Sequence, residues 1–268
     1  MSGFVSSACG FAFAKPQAEI LEAIYSLSLV SKFGSIIAMP TPTRTAERAD
    51  VRELNNGDRM TREEFHLAYE NAPVDFRAEL IGGIVYLASP LKIRHGSYHL
   101  LLGSLFSRYE GKTLGVEASD NTTVLLGFDG EPQPDLYLRI LPEFGGQSRT
   151  TADDYVEGAP ELIAEVAHSS RAIDLHAKRD DYTRYGVREY LVLSLRENRL
   201  RWFDLKAEEE LSPDADGINR LRALPGFWID AAALFRKDHE RLFEVMSLGL
   251  ATKEHADFVD RLANSRKT

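Results

Sequence analysis

The run "PELIAEVAH", residues 160–168, carries a carboxylate in the middle of an apolar strand. A period of two puts Leu162, Ala164 and Val166 on one face and Ile163, Glu165 and Ala167 on the other. A lone ionised carboxylate buried among apolar neighbours costs several kcal/mol or more. Any sheet built on this strand must therefore pair Glu165 with a cation, keep it protonated or offer it to a metal ion. A structural salt bridge and a functional site meet that demand equally well.

Two other residues bear on that choice. In "EPQPDLYLRI", alternation assigns Asp135, Tyr137 and Arg139 to one face and Leu136, Leu138 and Ile140 to the other. Pro134 has no N–H for a ladder, so the strand starts beside the acid, although a Pro-Asp pair is also a common turn. Leu175, Lys178, Tyr182 and Tyr185 recur at spacings of three, four and three, the inward stripe of an amphipathic helix interrupted by one lysine. Asp174 and Asp181 lie a turn either side of Lys178, so a surface ion pair is the alternative there. If the two strands are neighbours and a helix capped by Ser169 or Ser170 packs over them, two acids and one base converge. Adjacent carboxylates repel unless a cation lies between them, and Mg²⁺ suits such a sparse carboxylate site. The backbone carbonyl of Val166 is then a further inner-sphere ligand.

The rest of the chain supplies a frame of α/β type. Thr61 and Glu64 have capping-box spacing, and Gly82-Gly83 separates two short apolar runs as a hairpin does. A helix presenting Leu101, Leu105 and Phe106 ends at Gly111, and "TTVLLG", "EYLVLSL" and "RLRWFDL" read as strands. Helix, strands, helix, strands in that order predicts a central mixed sheet flanked by helices. Residues 1–59 read as an N-terminal extension and linker, 60–236 as the main domain and 237–268 as a C-terminal helical tail. The single cysteine, Cys9, excludes an internal disulfide or a cysteine-cluster zinc site and suits a reducing, cytoplasmic setting. No basic residue precedes the apolar start of the chain, as a secretory leader requires, and no apolar run is long enough to span a membrane. A formal charge of −9 argues against nucleic-acid binding by bulk electrostatics, leaving local patches such as Lys92, Arg94 and His95, or Lys178, Arg179 and Arg184.

The ordered set "ELIGG", "RHG", "PQPDLYL", "PELIAEV", "DLHAKRDDYTRYGVREYLVL" and "LPGFWIDAAALF", spread over residues 60–236, resembles the PD-(D/E)XK nuclease superfamily and its restriction endonuclease branch, the Uma-two family. The resemblance implies a restriction-endonuclease-like core and metal-dependent hydrolysis of DNA phosphodiesters, with Asp135 and Glu165 matching the metal-binding acids. The superfamily lysine often stands two residues after the second acid. Here that position is Ala167, and the role passes to Lys178.

On this basis we expect a Mg²⁺-dependent DNA endonuclease, with Mn²⁺ as substitute metal. Asp135, Glu165 and Val166 would hold the ion, Lys178 would orient water or neutralise charge, Glu79 would be an outer-sphere carboxylate and His95 a phosphate contact. For Glu79 the alternative is an ion pair with Arg77 or Arg94, and for His95 a place near a helix start. A homodimer fits the class, but no interface signature decides it. The rivals are an inactive nuclease-fold module that holds nucleic acid or protein, and a hydrolase of another phosphoester.

Overall fold

The structure, a computed structural model, describes residues 52–167 and 173–266. Cys9, the extension with its linker up to residue 51, His168 and the Ser169–Ser170 cap lie outside the described residues.

Helix α1 (Arg62–Glu70) starts at Thr61, whose hydroxyl accepts from the Glu64 N–H while the Glu64 carboxylate accepts from the Thr61 N–H. These reciprocal bonds satisfy two donors that a helix start leaves free. Strands β1 (Ala78–Ile81) and β2 (Ile84–Leu87) follow as an antiparallel hairpin. Its turn residues Gly82 and Gly83 have φ of +55° and +74°, a conformation that matches strand twist and that side chains other than glycine resist.

After helix α2 (Ile93–Glu110) come the strands of the main sheet: β3 (Val116–Asp120), β4 (Leu136–Ile140), β5 (Leu162–Glu165), β6 (Glu189–Ser194), β7 (Arg199–Asp204) and β8 (Glu209–Leu211). Their spatial order is β8-β7-β6-β5-β4-β3. Only β5 and β6 run parallel; every other neighbouring pair is antiparallel. The sheet is mixed, with helices on both faces, as the element order predicted. A small separate sheet joins residues 124–125, 149–150 and 156–157, and "TTVLLG" contributes only Val124 and Leu125 as strand.

The one parallel pair of the main sheet determines where the lysine goes. Parallel neighbours require a crossover that packs on the sheet. Here it contains a π-helical stretch, Ile173–Lys178, continuing into helix α3 (Arg179–Tyr185). The expected single α-helix thus includes wider turns over Ile173–Lys178, a rare form that concentrates at functional sites. The crossover covers the face built from Tyr137, Ile163, Ala167, Tyr190 and Val192, inserting Leu175 and Tyr182. The opposite face, with Leu136, Leu138, Leu162, Ala164 and Leu191, packs on Leu101, Leu105 and Phe106 of α2.

Three C-terminal helices, α4 (Ala231–Arg236), α5 (His239–Leu250) and α6 (Lys253–Ser265), complete the second layer. Leu242, Met246, Phe258 and Leu262 belong to the same core as α2. Among the described residues, no helix is long and apolar enough to cross a membrane.

Away from the crossover, one more buried acid fixes strand β4. Glu161 is fully buried, accepts from the Ile140 N–H at 2.6 Å, and has Arg188 3.8 Å away. Burial raises its carboxyl pKa against the pull of that hydrogen bond and of Arg188. A carboxyl whose pKa is raised by folding contributes stability in acid that is lost as pH climbs through the folded value. Glu161→Gln keeps an acceptor for Ile140 and removes the buried charge. Its melting temperature relative to the wild type should therefore rise between pH 5 and pH 8, and a difference that is flat or falls with pH would contradict this.

Candidate active site

Strand register brings the two acids together. Leu136 pairs with Ala164 and Leu138 with Leu162, so one further step sets Asp135 opposite Glu165 on the face covered by the crossover. The Val166 N–H donates to Asp135 Oδ2 at 2.7 Å, and the Asp135 N–H approaches Glu165 Oε2 at 3.4 Å. Like charges directly opposite one another destabilise a sheet, so a positive group is needed at this spot.

Lys178 supplies it. Its Nζ lies 2.8 Å from Glu165 Oε1 and 2.8 Å from Glu79 Oε1, and both Lys178 and Glu165 are 4% exposed. The Tyr182 hydroxyl donates to the same Glu165 oxygen at 3.1 Å. Glu79, on β1, also accepts from the Gln133 N–H at 2.7 Å. Neither of its suggested arginine partners reaches it: Arg77 donates to the carbonyls of Val74 and Phe76, and Arg94 to Asn198. Asp181 is not a surface partner of Lys178 either, because it accepts from the Gly82 N–H and pairs with Arg184. That bond ties α3 to the β1–β2 turn and so fixes Glu79 beside the lysine.

The electrostatics follow from burial. Desolvation works against the Lys178 charge, but Glu165, Glu79 and Asp174 outweigh it and hold the ammonium pKa well above the usual lysine range. Burial pushes the Glu165 carboxyl up, with Asp135, Asp174 and Glu79 adding repulsion that Lys178 only partly offsets. Burial also opposes charge on Asp135, yet the His95 contact, the Val166 N–H and Lys178 bring its pKa below the usual value.

His95 stands in the first turn of α2, both near a helix start and within reach of the acid: its Nε2 is 3.2 Å from Asp135 Oδ2. That hydrogen bond raises the imidazole pKa despite burial. One turn on, His99 Nε2 lies 2.8 Å from the Asp135 backbone carbonyl.

The residues present fit a small divalent cation. Two carboxylates face each other; among the described residues Asp135 Oδ1 has no hydrogen bond, and Glu165 Oε2 has only the long contact from the Asp135 N–H. The same register places Pro134 opposite Val166. Proline has no N–H, so the ladder leaves the Val166 carbonyl without a donor there. Among the described residues, no three His, Cys, Asp or Glu side chains form a metal cage. The donor set is the two-carboxylate kind that Mg²⁺ completes with water and substrate oxygens.

A family model described as "Uma2: Putative restriction endonuclease" matches residues 62–232. The chain belongs to this family. No curated protein matches it. A solved structure described as a putative nuclease belonging to DUF820 from Anabaena variabilis ATCC 29413 shares the fold, with a TM-score of 0.50 at 13% identity. The alignment covers 63% of this chain and 96% of that one.

In this Uma2 chain, sequence reasoning passed over three contacts of the site's acids. Tyr182 looked like packing, yet its hydroxyl meets Glu165 while its ring lies edge-on to Tyr190. Its position four residues after Lys178 on the same stripe was the available signal. His99 was signalled by its place one turn beyond His95. Gln133 gave no signal, since it acts through its backbone N–H.

Breaking a buried ion pair by removing one partner costs about 3–5 kcal/mol. Lys178→Met should lower stability by about that much at pH 8. The loss should shrink at pH 5, where the abandoned Glu165, already raised in pKa, takes up a proton. Denaturant titrations at both pH values check this, and an equal loss at each would contradict it.

Proposed function

We propose that this Uma2 chain is a divalent-metal-dependent DNA endonuclease that hydrolyses phosphodiester bonds, with Mg²⁺ as its metal and Mn²⁺ as a substitute. The observation that carries the proposal is the placement of Asp135 opposite Glu165 with the Lys178 ammonium 2.8 Å from the latter, in a fold shared with a protein described as a "putative nuclease". Asp135, Glu165 and the Val166 carbonyl would hold the cation. When bound, such an ion acidifies water and neutralises charge on phosphate oxygens.

The protein's own groups do the rest. Lys178, a compact point charge, orients the attacking water and offsets negative charge as it grows on the phosphorus oxygens. Tyr182 and Glu79 restrain Glu165 and the lysine, so the ammonium is presented in one direction. His95 holds Asp135 from its outer side, a positioning role to which a phosphate contact is added once substrate is present. The reading extends to a soluble cytoplasmic enzyme, with pairing into a homodimer the route by which two such sites would cut both strands.

A second reading has its own support. Lys178 is already neutralised by Glu165 and Glu79, and the chain carries a charge of −9. A nuclease-fold module that binds nucleic acid or protein without cutting would look the same.

Supercoiled plasmid with Mg²⁺, Mn²⁺ or chelator separates the two. The wild type should nick only with metal, and Asp135→Ala, Glu165→Ala and Lys178→Ala should each slow nicking by about a hundredfold or more, the scale for losing one group that stabilises developing charge. Nicking that survives all three substitutions would remove this site from the account, and DNA binding without nicking by the wild type would favour the module. Pro134→Ala gives a finer test. It returns a ladder N–H opposite the Val166 carbonyl, and calorimetry should show weaker Mn²⁺ binding with the fold intact. Unchanged affinity would mean that the carbonyl takes no part.

A further inference from the structure

The protein is acidic, and many of its exposed arginines sit within ion-pair distance of a carboxylate, among them Arg149, Arg199 and Arg222. Several exposed cations lack such a partner, and four of them share one stretch of surface. Lys92, Arg94, Arg196 and Lys237 are all exposed, and none has a carboxylate within 4.0 Å among the described residues. Arg94 donates to the Asn198 side chain at 2.7 Å, a neutral partner that orients the guanidinium and leaves its charge uncompensated. Arg196 precedes Asn198 in the same turn, and Glu197 between them is engaged by Arg201 at 3.7 Å. The Lys237 ammonium lies 4.7 Å from the centre of the Tyr98 ring, and the Arg94 guanidinium lies 5.9 Å from the same centre. The Tyr98 hydroxyl donates to the Phe235 carbonyl, which fixes the ring beside both cations.

The backbone also favours a dedicated role. Lys237 closes α4 with φ +55°, and Asn198 has φ +49°. The helix-closing position is one that glycine prefers, yet a lysine occupies it and extends over Tyr98. Arg94 directly precedes His95, which touches Asp135, so the uncompensated cations begin one residue from a side chain that holds the acid pair.

We infer that Arg94 and Lys237, flanked by Lys92 and Arg196, form a phosphate-holding rim that receives the backbone of a nucleic-acid strand as it enters the site. This rests on the endonuclease reading and names the surface by which an acidic protein holds its polyanionic substrate. Uncompensated cations placed side by side gain from releasing the counterions of a polyanion.

The test measures binding of a fluorescent duplex oligonucleotide in chelator across a salt series, so that no cleavage is needed. Each phosphate contact contributes a slope of about −0.9 in log affinity against log salt for duplex DNA. Arg94→Gln with Lys237→Gln should weaken binding at least tenfold at low salt and reduce the slope by about 1.8, two contacts' worth. Arg94→Lys with Lys237→Arg should restore most of the slope. A control carrying Lys112→Ala and Lys206→Ala, both exposed elsewhere, makes the same change in net charge and should bind like the wild type. An unchanged slope in the double glutamine variant, or an equal loss in the control, would overturn the rim. Mn²⁺ calorimetry on the same variants should match the wild type, and altered metal affinity would show that the substitutions act through the acid pair instead. The endonuclease reading fails separately, if the wild type binds the duplex through this rim but never nicks plasmid.

Discussion

The contact between Glu165 and Lys178 organises this molecule. A carboxylate in the last residue of a buried strand and an ammonium on the following crossover, both 4% exposed and 2.8 Å apart, cannot be separated cheaply, because the buried carboxylate would be left without its cation. The crossover must therefore lie across this face of the sheet, and Tyr182, Leu175 and Tyr190 close around the pair. Replacing such a pair with apolar residues is often neutral or stabilising. Its presence here is accordingly better explained by what the two groups do than by what they add to stability.

A second constraint lies in the backbone. The register that sets Asp135 opposite Glu165 also sets Pro134 opposite Val166. One dipeptide thus supplies an acid and withholds a hydrogen-bond donor from the neighbouring strand. The Val166 N–H turns to Asp135, and the carbonyl beside it is left for another partner. Around this centre the protein places restraints on each charged group: His95 and His99 on Asp135, Tyr182 on Glu165, Gln133 on Glu79. The hairpin carrying Glu79 is in turn anchored to the lysine helix through Asp181 and the Gly82 N–H.

Much of this was legible in the sequence because period and capping are local. Alternation assigned Ile163 and Ala167 to one face of β5 and Leu162 and Ala164 to the other, and the two cores divide along that line. Thr61 with Glu64, and Gly82 with Gly83, announced a helix start and a hairpin through chemistry completed within four residues. Contacts set by tertiary placement were not legible. Glu79 looked like a partner for a nearby arginine, but strand pairing and the Asp181 tie carry it to Lys178. The π-helical stretch of the crossover left no mark in residue spacing. Nor did the contribution of Leu242, Met246, Phe258 and Leu262 to the principal core, because an amphipathic tail reads the same whether or not it has a surface to cover.

The central claim is that the paired acids are a cation site restrained by a lysine. Anomalous diffraction at the manganese edge, on crystals grown with saturating Mn²⁺, tests it most directly. The account predicts one strong peak in contact with the carboxylates of Asp135 and Glu165 and with the Val166 carbonyl. Crystals at the same Mn²⁺ concentration in which Lys178 still bridges Glu165 and Glu79, with no anomalous density beside Asp135, would contradict it.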